Sequence, residues 1–335
     1  MQEAILLMDI GGTYTRARLE RARVEPPGAE TILLERGAAI ADKQTLLAFI
    51  RAMLTQTEHT VSTAVLSFAG PVKAASITMT NWPRQDAISL AELVALGLPA
   101  TQTDIINDME AAALCLIAYK TGRVQLTVNA LYTPANDSQQ HFNNAILLVP
   151  GTGVGVAGIL MGNGTAPAHV SCELQHTTAA GFDHAYADLL ARLKQQLHKD
   201  HLSWEDLVSG QGLENIYQAL LSPGSGDQPQ LNAAIIASHA MAGTDNTCRE
   251  ALACYYHAAG ALTQVVALAF QPFAGIYLGG ETTAKNMAFI RHSSFVAKLQ
   301  DNNRRRDLLQ SFPVYLLPAY LNLTGAQYLA RHKYQ

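Results

Sequence analysis

Ile5-Leu6-Leu7-Met8-Asp9-Ile10-Gly11-Gly12-Thr13 opens the 335-residue chain as an apolar strand running directly into a glycine turn. A second stretch, Ala145-Ile146-Leu147-Leu148-Val149-Pro150-Gly151-Thr152-Gly153-Val154-Gly155, repeats the arrangement in the other half of the chain. A glycine turn at a strand end lets backbone N–H groups approach phosphate oxygens with no Cβ in the way. The threonine hydroxyl adds a donor and an acceptor at the same place. One such turn is also what an ordinary tight hairpin requires. Two of them in separate halves suggest a nucleotide held between two lobes.

Composition narrows the classes. The length allows two domains, each with a core of its own. Apolar residues make up 49% and charged residues 15% of the chain, which fits large buried surfaces and argues against disorder. A net charge of −4 offers no general attraction to nucleic acid or to an anionic membrane. The basic cluster Arg304-Arg305-Arg306 is flanked by Asp301 and Asp307 and reads as a solvated loop or helix end. The start, Met1-Gln2-Glu3-Ala4, lacks the basic region of a signal peptide. Tyr255 to Phe273 is apolar but interrupted by His257, Gln264 and Gln271, so a buried helix is expected there, not a membrane span. Cys115, Cys172, Cys248 and Cys254 form no CxxC pair, and reduced thiols in a cytoplasmic protein are expected.

The first third alternates strand and helix. Strands are expected over Met1–Glu20 and Thr31–Ala38, joined by a turn at Glu25-Pro26-Pro27-Gly28, then a helix over Lys43–Thr57 and a strand over Thr63–Phe68. Ser89-Leu90-Ala91-Glu92 matches a capping box opening a helix that stops at Gly97. Asp104-Ile105-Ile106 is a strand, and Asn107-Asp108 stands where it turns into the helix Met109–Tyr119. After the second glycine turn the reading is helical: His184–His198, Trp204–Leu221, Asn232–Met241 and Asn246–Phe270. A strand Ala274–Leu278 then meets Gly279-Gly280, and a strand Phe312–Leu317 precedes the helix Leu323–Lys333. This order implies two α/β lobes, the second richer in helix, with a cleft between them.

Several side chains carry candidate chemistry. Asp108 follows an apolar strand and lies at a helix N-terminus, whose dipole favours the ionised form a proton acceptor needs; an N-cap aspartate would look the same. Asp9 can hold Mg²⁺ or its water near phosphates, or simply stabilise the Gly11-Gly12 turn. In His169-Val170-Ser171-Cys172-Glu173-Leu174-Gln175-His176, three side chains (His169, Cys172, His176) are of ligand type, but their spacing matches no standard zinc pattern. Read as polyol recognition, Glu173 and His176 offer directional partners for hydroxyl groups. Glu205, just before Ser209-Gly210-Gln211-Gly212, either joins them or is a plain first-turn acid.

In this order the motifs resemble the bacterial glucokinases, the zinc-free members of the sugar kinase, Hsp70 and actin superfamily. The resemblance runs from about Leu7 to Leu329. It rests on Asp9-Ile10-Gly11-Gly12-Thr13, Met79-Thr80-Asn81, Ile106-Asn107-Asp108, Gly151-Thr152-Gly153-Val154-Gly155, Ser209-Gly210-Gln211-Gly212-Leu213, Leu278-Gly279-Gly280 and Pro313-Val314-Tyr315-Leu316. It implies a ribonuclease H-like, actin-like ATPase fold: a small α/β domain of residues 1–118 plus about 320–335 and a larger one of residues 119–319. It implies transfer of the ATP γ-phosphoryl group to the 6-hydroxyl of glucose, with Asp108 as catalytic base. Asn81, Asn107, Asp108, Glu173, His176 and Glu205 then bind the sugar. Asp9, Gly11, Gly12, Thr13, Gly151, Thr152, Gly153, Gly279 and Gly280 bind Mg·ATP, with Asp9 nearest the Mg²⁺. A homodimer is implied; structural zinc is not, because the cysteine-rich motif of the related repressor group is missing. The chain departs from the family's pattern at Tyr14, where members read Asn, and at Leu174-Gln175, where they read Gly-Gly. Those departures leave two rivals, a kinase for mannose or an amino sugar and a hexose-binding protein without phosphotransfer.

Overall fold

Ile5, Leu6, Leu7 and Met8 are all fully buried, so the strand they form is covered on both faces. A computed structural model describes residues 2–12, 14–23, 31–80, 82–84, 86–135, 143–162, 166–179, 183–221 and 230–334. Of the sequence expectations, Thr13, Asn81 and the turn at Glu25-Pro26-Pro27-Gly28 lie outside the described residues. The chain divides into two compact units, residues 1–125 with 320–335 and residues 126–319.

The first unit is built on β1 (Glu3–Ile10), β2 (Thr15–Arg21), β3 (Ile32–Ala38), α1 (Lys43–Thr55), β4 (Thr60–Phe68), the short strands β5 (Val72–Lys73), β6 (Ser76–Ile77) and β7 (Ile88–Ser89), α2 (Leu90–Ala95), β8 (Thr103–Asn107) and α3 (Asp108–Lys120). Its main sheet has the order β3-β2-β1-β4-β8. β1, β2 and β3 form an antiparallel meander, and β4 and β8 run parallel to β1. Strand side chains alternate between faces. Leu6, Met8 and Ile10 therefore enter one core with Leu46, Ile50 and Met53 of α1, while Ile5 and Leu7 enter another with Ala111 of α3. The C-terminal helix, Leu321–Lys333, closes that second core through Leu323, Ala326 and Ala330. A Cβ at Gly325 would run into the Ala111 carbonyl oxygen, so only glycine lets this helix lie directly against α3. The capping box forms as the sequence indicates: Ser89 Oγ accepts from Glu92 N–H, and the Glu92 carboxylate accepts from Ser89 N–H.

The second unit contains β9 (Asn129–Tyr132), β10 (Ala145–Pro150), β11 (Val154–Leu160), β12 (Ala168–Cys172), α4 (Ala187–Leu197), α5 (Glu205–Val208), α6 (Gly210–Leu220), α7 (Ala233–Ala242), α8 (Asn246–Phe270), β13 (Ile276–Leu278), α9 (Glu281–Lys285), α10 (Met287–His292), α11 (Phe295–Leu299), α12 (Arg306–Gln310) and β14 (Val314–Leu316). Its sheet has the order β12-β11-β10-β13-β14-β9. β10, β11 and β12 again form an antiparallel meander, and β13 and β14 again run parallel to the central strand. Helix α8 is long and apolar enough to cross a membrane, yet 72% of its most apolar window is buried in the unit. It is the core helix that its polar interruptions indicate.

Two expectations change here. The second glycine turn leads first into strands β11 and β12, whose small residues (Gly155, Ala157, Gly158) carry little β signal alone. The helix read over Trp204–Leu221 is two helices. Ser209 adopts an extended conformation (φ −100°, ψ 171°) and its hydroxyl caps α6 by accepting from Gly212 N–H at 2.9 Å.

Candidate active site

In the first unit the parallel strands β1, β4 and β8 end side by side, and ligand sites of open α/β sheets gather at such carboxyl ends. Ile10 registers with Phe68, and Phe68 with Asn107. β1 delivers Asp9 and then the Gly11-Gly12 turn, in which Gly11 N–H donates to Tyr14 O at 3.1 Å. β8 delivers Asn107 and Asp108 at the start of α3.

Asn107, not Asp108, is the N-cap of α3: its Oδ1 accepts from Met109 N–H at 2.8 Å, while its Nδ2 donates to Gly70 O at 2.9 Å. With the cap position filled, the reading of Asp108 as an ordinary N-cap no longer applies. Asp108 stands one residue inside the helix, with Oδ1 2.9 Å from Met109 N. Burial pushes its carboxyl up to about 6, and the charge of Asp9 pushes the same way, against the hydrogen bond from Met109. Asp9 is held from the far end of the chain. Asn322 Nδ2 donates to its Oδ1 at 2.9 Å, and Arg16 Nη1 lies 3.9 Å from its Oδ2. Burial raises the Asp9 carboxyl; Asn322 and Arg16 oppose that rise. Neither Asn322 nor Arg16 was singled out from sequence. Asn322 is 313 positions from its partner, and no local pattern joins them.

The second unit gathers the other candidates. In its turn Gly151 N–H donates to Gly153 O at 2.7 Å, and Gly210 N–H, at the head of α6, donates to Gly151 O at 2.8 Å. Thr152, at the tip, is exposed. A Cβ at Gly153 would sit 2.5 Å from Glu205 Oε1, so the turn and the head of α5 are in direct contact. His176 bridges two acids, its Nδ1 3.0 Å from Glu205 Oε2 and its Nε2 3.3 Å from Glu173 Oε2. Glu173, His176 and Glu205 therefore form one cluster, beside the glycine turn. Gln175, which occupies a position the bacterial glucokinases fill with glycine, is buried and donates to Glu173 Oε2 at 2.6 Å. Gly279 N–H donates to Leu148 O at 2.9 Å. Gly280, at φ +90°, is in a conformation that side chains avoid, and a Cβ there would lie 2.9 Å from Val149 Cγ1. His169, Cys172 and His176 do not converge as a three-ligand group.

The chemistry of the two sets differs. The first unit presents two neighbouring carboxylates at strand ends. The second presents uncharged backbone turns beside an exposed acid–imidazole–acid cluster.

The glucokinase family model matches residues 6–333. The chain is 31% identical over 322 residues to the glucokinase of Pectobacterium atrosepticum, covering 95% of this chain and 93% of the relative. Its fold is that of the Balamuthia mandrillaris glucokinase solved in complex with glucose, at a TM-score of 0.86 and 24% identity, over 98% and 94% of the two chains. A more distant fold match is a ROK family glucokinase from Streptomyces griseus in complex with glucose and AMPPNP, at a TM-score of 0.64 and 21% identity, over 98% and 99% of the two chains. With the family model spanning nearly the whole length, this chain belongs to the glucokinase family.

Proposed function

We infer that this protein is an ATP-dependent glucokinase that transfers the γ-phosphoryl group of ATP to the 6-hydroxyl of glucose. Family membership supports the reaction, and one observation carries the assignment of its base: Asp108 heads α3 at a strand end, with its carboxyl at about 6. Such a group is about nine-tenths ionised at pH 7 and still basic enough to take a proton in the transition state. As the sugar oxygen bonds to the γ-phosphorus, its proton passes to Asp108, the bond to the bridging oxygen breaks and ADP leaves. Asn107 fixes the head of α3 from Gly70 and so orients the base. Glu173, His176 and Glu205 take sugar hydroxyls, and Asn81 is assigned to the same task. The backbone N–H groups around Gly11, Gly12, Thr13, Gly151, Thr152 and Gly153 meet phosphate oxygens, and Gly279-Gly280 meets the adenosine side. In such transfers positioning and charge stabilisation supply most of the acceleration.

Mg²⁺ belongs to this reading. Asp9 is a hard oxygen donor whose burial disfavours its own charge and whose neighbour Asp108 is a second acid; a divalent cation relieves both penalties. Asp9 would hold it, directly or through water, and the ion would neutralise developing charge on the phosphates. The fold is read as the two-lobed, ribonuclease H-like type of the actin superfamily, which the repeated strand order supports. A cytoplasmic homodimer is carried by the family resemblance alone.

A second reading, a kinase for another hexose, draws on Gln175, whose amide engages the carboxylate assigned to a sugar hydroxyl. ADP release with Mg·ATP across glucose, mannose, glucosamine and a no-sugar control tests both. Release that requires glucose supports the glucokinase. Release with another hexose alone moves the specificity to Leu174-Gln175, and none with any sugar, despite sugar binding, contradicts the kinase.

A further inference from the structure

Helices α7 and α8 form a hairpin whose turn is tightly specified. Gly243 closes α7 in the left-handed conformation (φ +68°), and Thr244 N–H reaches back to His239 O at 3.2 Å. Asp245 then caps α8, its Oδ1 accepting from Cys248 N–H at 2.9 Å. The turn thus sets His239, in the last turn of α7, beside Asp245 and Cys248 in the first turn of α8. A ring nitrogen, a carboxylate oxygen and a thiol sulfur from the three residues all lie within 4.8 Å of one another. We propose that His239, Asp245 and Cys248 form a binding site for a borderline-soft divalent cation of the zinc, cobalt and cadmium class.

Ligand type selects the ion. Thiolate and imidazole suit Zn²⁺, Co²⁺ and Cd²⁺, whereas Mg²⁺ takes oxygen donors. Charge balances as well, since one thiolate and one carboxylate neutralise one divalent ion, which allows the site to be partly buried. Burial is graded across it: Cys248 is buried, Asp245 intermediate and His239 exposed. That leaves an open side for a fourth ligand, a water, in a tetrahedral arrangement. Zinc bond lengths place tetrahedral ligand atoms about 3.3–3.8 Å apart, so the group must close by about 1 Å. His239, exposed at a helix end, has the rotamer freedom to do it. Binding exchanges the Cys248 thiol proton for the cation: the S–H bond breaks, the sulfur–metal bond forms and the proton leaves to solvent. The spacing His-x5-Asp-x2-Cys matches no standard zinc signature; the helical hairpin, not the sequence pattern, makes the group.

Cobalt(II) is the probe, added to the full chain with a non-thiol, non-chelating reductant. One equivalent should produce a thiolate-to-cobalt charge-transfer band and the visible bands of four-coordinate cobalt. His239→Ala, at an exposed position that does not threaten folding, should weaken binding at least tenfold. Cys248→Ser should abolish the charge-transfer band, and Cys172→Ser should leave it intact. No charge-transfer band, or one that survives Cys248→Ser with His239→Ala without effect, overturns the proposal. None of these readouts depends on kinase activity, so they stand apart from the assignment of the reaction.

Discussion

In the first unit the central strand β1 carries Asp9 just ahead of its glycine turn; in the second, β10 reaches its own turn through Val149-Pro150. The outer parallel strand of the first sheet, β8, runs into Asn107-Asp108, whereas its counterpart β14 runs into buried Leu317. Five strands follow the same pattern, three antiparallel and two parallel, with β9 added antiparallel at the edge of the second sheet. The ends of the central and outer parallel strands, however, are acidic in one unit and apolar in the other. A phosphate approaching the second turn meets amides with no fixed negative charge at the strand end. A hydroxyl approaching the first meets a carboxylate whose basicity is raised by burial and by a second carboxylate. The second unit's acids come instead from the end of its edge strand β12 (Glu173) and from the head of α5 (Glu205), and are tied together by His176.

This contrast can be broken at chosen positions. Asp108→Asn removes the proposed base and should lower kcat by about 10²–10⁴-fold, the usual size of a general-base contribution, while glucose binding measured by calorimetry stays within about threefold. The same variant should be more stable than the wild type above pH 6. A carboxyl whose folded value is raised to about 6 favours folding while protonated and loses that contribution as pH rises through 6. Asparagine has no such loss, so chemical denaturation at pH 7.5 should show a gain of about 2–3 kcal/mol that disappears toward pH 4.

Writing the first unit's acid into the second gives the next largest effect. Val149→Asp sets a negative charge at the end of β10, beside Gly280, and should raise the KM for ATP about tenfold, about 1.4 kcal/mol, with a smaller change in the KM for glucose. An unchanged KM for ATP would show that the neutrality of this strand end has no bearing on the nucleotide. The smallest effect is expected at Gln175. Gln175→Gly releases Glu173 Oε2 from the amide and should change the ratio of kcat/KM for glucose over mannose by about threefold, at nearly constant kcat.

Much of this contrast is legible in the chain itself, for identifiable reasons. β1 and β10 announce themselves because both faces of a central strand are buried, which leaves continuous apolar runs ending in glycine. Helix α8 is read correctly as a buried helix because His257 and Gln264 interrupt its apolar run, and 72% of its most apolar window is buried. Asp108 can be picked out from the strand–acid–helix order, but local sequence cannot distinguish cap from base. The structure removes the cap reading alone: Asn107 takes the cap with one end of its amide and Gly70 with the other. β11 is hidden because Gly155, Ala157 and Gly158 lack strand propensity, and β12 because its five residues, Ala168–Cys172, are short and mixed in character. The break at Ser209 carries a local signal, a capping serine followed by the poor helix formers Gly210 and Gly212, but the helical spacing on either side runs through it. The setting of Asp9 was invisible: Asn322 reaches it only because Gly325 allows the C-terminal helix against α3.

The central claim is that the first unit's acid is the proton acceptor and that its surroundings set its pKa. The pH dependence of kcat/KM for glucose at saturating Mg·ATP, measured from pH 4.5 to 8, tests this most directly. The account requires a plateau at neutral pH and a fall of tenfold per pH unit on an acidic limb at or below pH 6, since bound Mg²⁺ offsets part of the rise. The residual activity of Asp108→Asn should show no such limb. A wild-type profile with no acidic limb down to pH 4.5, or the same limb in Asp108→Asn, would contradict it.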